Sequence, residues 1–65
     1  MCESNVFMEE EGGERELLME DVVHVAVDGE DIKLTGILGE RKETKGRIKE
    51  INLIKHTIVI FCSIR

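Results

Sequence analysis

Residues 22–38 read VVHVAVDGEDIKLTGIL, and the alternation in this stretch decides the fold. Val23, Val25 and Val27 share one face of an extended chain; Val22, His24 and Ala26 share the other. After Asp28-Gly29, Ile32, Leu34 and Leu38 fall on one face with Gly36 between them. Period-two patterning in β-branched residues specifies strands. An Asp-Gly pair between two such runs is a strong short-range hairpin signal, because a tight hairpin needs positive φ at its centre. Two antiparallel strands joined at residues 28–31 are therefore expected.

The same grammar extends in both directions. A first strand is expected near residues 3–8, followed by a hairpin in EEEGGE at Gly12-Gly13. A turn is expected around Gly39 and another between Leu53 and Ile58. HTIVIFC alternates Ile58, Ile60 and Cys62 with Thr57, Val59 and Phe61, so the last strand is apolar on both faces. KETKGRIKEINLI fits neither helical nor strand period cleanly; it reads as a bent strand with a bulge near Glu50–Ile51. The sum is an all-β single domain over residues 1–65, a small five- or six-stranded barrel of SH3-like or OB-like type. One face of the last strand belongs to the barrel core; a second copy of the chain would cover the other.

A chain of 65 residues supports one small core, and oligomerisation commonly supplements such cores. The 2 cysteines and a glutamate-rich start, where a secretory signal needs apolar residues, give a cytoplasmic reading with free thiols. No apolar run approaches the roughly 20 residues that span a bilayer. The net charge of −5 argues against tight binding to phosphate backbones, and Phe7 and Phe61 are too few for a base-stacking platform. The sequence thus argues against a nucleic-acid partner. Its one basic cluster, Arg41, Lys42, Lys45, Arg47 and Lys49, carries the alternative reading. On a single strand, Lys45, Arg47 and Lys49 would form an RNA-facing strip, or else a charged edge that discourages misassociation.

Catalytic constellations are absent: the chain carries no paired-carboxylate, Ser/His/Asp or phosphate-loop pattern, and an enzyme is not indicated. Zinc-type spacings are also missing. Cys62 reads as a small core hydrophobe, His24 as a surface or interface histidine with a possible supporting role at a metal, and His56 as a solvated turn residue. Cys2 is the candidate ligand. With Met1 removed, its thiol, amide and α-amine offer N and S donors in five-membered rings, which suit square-planar Ni(II) or Cu(II). The alternative is a chance thiol at a chain end, and the residue by itself favours that alternative.

Taken together, MCESNVF, LLMEDVVHV and LTGILGERKETKGRIKEINLIKHTIVI resemble the CooT family. These small proteins are associated with maturation of nickel-containing carbon monoxide dehydrogenase and are also labelled RNA-binding. The resemblance covers nearly the whole chain in order. It implies a homodimer of small β-barrels that binds nickel, Ni(II), at the dimer interface through the N-terminal cysteine, here Cys2. It implies a metallochaperone whose partners belong to carbon monoxide dehydrogenase maturation. The ending FCSIR is longer than the family's usual finish, which leaves Cys62 outside the resemblance.

Overall fold

The computed structural model describes residues 3–62. Within them the chain forms six strands: β1 (Ser4–Glu9), β2 (Arg15–Asp28), β3 (Asp31–Gly36), β4 (Arg41–Lys45), β5 (Arg47–Asn52) and β6 (Thr57–Phe61). They build one sheet in the order β4-β3-β2-β1-β6-β5. All neighbours are antiparallel except β1 and β6, which run parallel. The expected hairpins and turns are present, with Gly13, Gly29 and Gly39 at positive φ in three of them.

β2 is the organising element. Its first half pairs with β1, from Glu9↔Arg15 to Ser4↔Val22, and its second half with β3, from Val22↔Gly36 to Asp28↔Asp31. It turns over at Asp21, a non-glycine residue at φ 57°. This folds the sheet on itself around Val6, Val22, Ile32, Leu34 and Ile60, all buried. Burying side chains of this size is worth roughly 1.5–3 kcal/mol each.

The fold departs from the sequence expectations at defined points. The barrel is not closed: β4 and β5 are the two edges of the sheet and share no ladder. The stretch read as one bent strand is two strands broken at Gly46, whose φ is 147°. A side chain there would strike the Phe61 carbonyl, so this glycine permits a corner that a continuous strand does not. The bulge lies between Ile48 and Glu50, slightly earlier than expected.

Face assignment also shifts. An irregularity between Val22 and His24 breaks the simple alternation, so Val22 is core while Val23 is exposed; Val27, on the row of Val25 opposite Ile32, keeps its face but is exposed near the hairpin. Leu38, expected inside, is 87% exposed because the chain has left β3 for a turn. The outer face of β6 is covered by its own chain, for Val59, paired with Phe7, is only 2% exposed.

Candidate functional site

The registers sort the molecule into two ends. At one end lie the start of β1, the fold-over of β2, the turn after β3 and the turn before β6. At the other lie the β1–β2 and β2–β3 hairpins, the Gly46 corner and the end of β6.

The hairpin end is tied off internally. Glu9 lies on β1 beside Arg15 of β2, and a bulge in β5 lets Lys49 reach it. The Glu9 carboxylate is buried and accepts hydrogen bonds from Lys49 and from Arg15 Nε, the latter at 2.8 Å. Those two cations, Lys49 first, hold its pKa below the ordinary glutamate range. Arg15 also approaches Glu50 at 3.6 Å. Its own pKa is raised, chiefly by its hydrogen bond to Glu9. Lys45 pairs with Asp31 across β4 and β3, which lowers the Asp31 pKa and raises that of Lys45. The Gly46 amide donates to Glu30 O at 3.0 Å, and the Cys62 amide to Glu9 O at 3.0 Å. Cys62 is free and half-buried.

These contacts place the basic cluster, whose alternative reading is an RNA-facing strip, on β4 and β5 at the sheet's edges. Lys45 and Lys49 are spent on carboxylates at opposite edges of the sheet. Arg47 sits 5.8 Å from the centre of the Phe61 ring, within cation–π range.

The opposite end is built differently. The Asn5 amide donates to the His56 carbonyl at 2.9 Å, and Asn5 Oδ1 accepts from the Asp21 amide at 3.3 Å. Asp21 O in turn accepts from Ile37 at 2.9 Å. His56, like Asp21, has positive φ, 56°. The two non-glycine residues in left-handed backbone thus both flank Asn5, the second residue of β1. Such conformations cost free energy and persist only where neighbouring structure holds them. Around them stand exposed apolar side chains: Leu38 and Ile37 from the turn after β3, and Leu53 and Ile54, 79% and 90% exposed, from the turn before β6. Sequence reading missed this rim because it assigned Leu38 to the inner face of a strand and Leu53 and Ile54 to the end of a bent strand; the paired apolar residues in GIL and NLI beside the turns were the available signal.

Cys2, the expected ligand, lies outside the described residues. Among the described residues, no group of three or more His, Cys, Asp or Glu side chains is placed to hold a metal. His24 lies on β2, paired with Thr35 of β3, and borders an open cavity on the outer face; His56 is exposed. No helix among the described residues is long and apolar enough to cross a membrane.

Comparison with known proteins places this architecture. An uncharacterized protein of Methanothermobacter thermautotrophicus is 47% identical over 60 residues, spanning 92% of this chain and 88% of that one. An uncharacterized protein of Archaeoglobus fulgidus is 45% identical over 42 residues, 65% of this chain and 93% of that one. The crystal structure of a protein assigned as CooT from Carboxydothermus hydrogenoformans matches with a TM-score of 0.86 and 32% identity, covering 97% of this chain and 100% of that one. The family described as CO dehydrogenase accessory protein CooT matches residues 1–61, nearly the whole chain, and leaves out only its last few residues. The chain belongs to the CooT family of CO dehydrogenase accessory proteins.

Proposed function

We propose that this protein is a nickel-binding accessory protein, a metallochaperone rather than an enzyme, serving the maturation of a carbon monoxide dehydrogenase-type nickel enzyme in the cytoplasm. Two copies pair at the end from which β1 starts, and their Cys2 thiolates share one Ni(II) on the two-fold axis. Family membership supports the accessory role. The observation that carries the dimer is the rim of exposed Ile37, Leu38, Leu53 and Ile54 around the start of β1. A self-complementary apolar patch near a two-fold axis is the usual basis of a homodimer.

The donor chemistry fits the cargo. Thiolate and amine or amide nitrogen favour square-planar nickel over the octahedral aqua ion. The chelate requires Met1 removed, since an extra residue takes the amine out of the five-membered ring. Binding should weaken as pH falls and the donors regain protons. Nickel titration of Cys2→Ser beside Cys62→Ser, followed by sulfur-to-nickel charge-transfer absorption, tests the reading. Loss in Cys2→Ser alone supports it; equal binding by Cys2→Ser and the parent overturns it.

A further inference from the structure

The pairing of β2, β3 and β4 assembles a cationic cavity that the nickel reading does not use. Val25↔Leu34 faces the core, so the neighbouring pairs His24↔Thr35 and Ala26↔Lys33 face outward. β4 continues these rows with Thr35↔Arg41 and Lys33↔Glu43. The result is an open cavity of about 310 Å³ on the outer face, whose lining includes His24, Lys33, Thr35, Arg41, Lys42 and Glu43.

Its charge is the exception in this chain. The protein carries a net charge of −5, yet Lys33 and Arg41 both face this cavity beside the carboxylate of Glu43, while Lys42, opposite Leu34, belongs to the other face. Among the described residues, the ion pairs involve Arg15, Lys45 and Lys49 and include neither Lys33 nor Arg41. A guanidinium, an ammonium group and a hydroxyl around one concavity match the several acceptor oxygens of a phosphoryl group. The volume lies at the lower end of small-molecule sites, about 300–1,000 Å³. The chain's two phenylalanines belong to β1 and β6 and do not line this cavity, so it lacks the stacking surface that single-stranded RNA uses.

We infer that the outer face of β2-β3-β4 is a binding site for a small phosphorylated ligand, with Lys33 and Arg41 as its principal charge contacts and Thr35 as a hydrogen-bond partner. The site is independent of Cys2 and of the dimer. Amide chemical shifts should be followed by nuclear magnetic resonance during titration with inorganic pyrophosphate, with ADP and a short oligouridylate as parallel arms. Saturable shifts centred on residues 24, 33, 35 and 41–43 are expected. Arg41→Ala and Lys33→Ala should each weaken pyrophosphate binding by about tenfold, as loss of a charge-assisted contact implies. Lys55→Ala, on a different face, should stay within about twofold, in keeping with a cation outside the site. Unchanged thermal unfolding of these surface variants establishes that the fold is intact. Stronger binding of ADP than of pyrophosphate would assign the phosphate to a nucleotide and support the site. Absence of saturable shifts, or equal effects from Arg41→Ala and Lys55→Ala, would overturn it. So would tight oligouridylate binding at this face with no response to either small phosphate.

Discussion

The two ends of the sheet solve the same problem in opposite ways. At the hairpin end, backbone donors and charged side chains find partners within the chain: Glu9 with Lys49 and Arg15, Asp31 with Lys45, the Gly46 amide with Glu30, the Cys62 amide with Glu9. At the end where β1 starts, the backbone is equally well held, by Asn5 between His56 and Asp21, but four large apolar side chains stay in water. An end held this firmly while its apolar surface is left open is suited to meeting another molecule. The contrast is one of degree, since Val27 beside the β2–β3 hairpin is also exposed.

Substitution at the Gly46 corner would break the contrast most severely. Gly46→Ala meets both a positive φ and the Phe61 carbonyl, and should cost about 2–4 kcal/mol, enough to leave so small a domain largely unfolded. Denaturant unfolding reads this directly; a loss below about 1 kcal/mol would show that the corner relaxes without penalty.

A core substitution comes next. Ile60→Ala removes a fully buried side chain and should destabilise by about 2–4 kcal/mol, within the range for core truncations that leave a cavity. Both changes act on the closed end and the core beneath it. Neither should alter the association of whatever fraction remains folded.

Glu9 gives the contrast a pH signature. Its pKa is lowered in the folded state, so its stabilising contribution is present above the ordinary glutamate range. It is lost as pH falls through the depressed folded value. Asp31, lowered by Lys45, acts in the same direction. Glu9→Gln should lower stability at neutral pH and flatten its decline in acid. Thermal unfolding across the acidic range measures both; parallel curves for parent and variant would show that the buried carboxylate does not set the acid sensitivity.

The smallest effect on stability belongs to the open end. Leu38→Glu and Ile54→Glu should change unfolding free energy by no more than about 0.5 kcal/mol, as surface positions usually do. Sedimentation should nevertheless show these variants as monomers at concentrations where the parent is a dimer. A large loss of stability with association intact would reverse the roles assigned to the two ends.

Much of this architecture is legible in the residues. Alternation and turn chemistry locate β1, the second half of β2, β3 and β6, and Asp28-Gly29 marks its hairpin, because these signals are local. What escapes depends on distant neighbours. Gly46 reads as a weak position within a strand until Phe61 is seen beside it. Val22 and Val23 exchange faces because β2 must fold over at Asp21 to serve two partners. Val59 is buried within the single chain, beside Phe7 of the parallel neighbour β1, far away in sequence. The basic cluster looks continuous in one dimension and is divided between the two edges of the sheet in three. Of the candidate site, the family motifs indicate Cys2, while the apolar rim around the start of β1 emerges only when two separate turns are brought to one end.

Native mass spectrometry of the parent and of Cys2→Ser, each with and without Ni(II), tests the central claim most directly, since it reads the N-terminus, the oligomer and the metal count together. The account predicts a parent dimer with Met1 removed and one nickel per dimer, and a Cys2→Ser dimer without nickel. A parent that stays monomeric with nickel present, or a Cys2→Ser protein that retains the metal at the parent's stoichiometry, would contradict it.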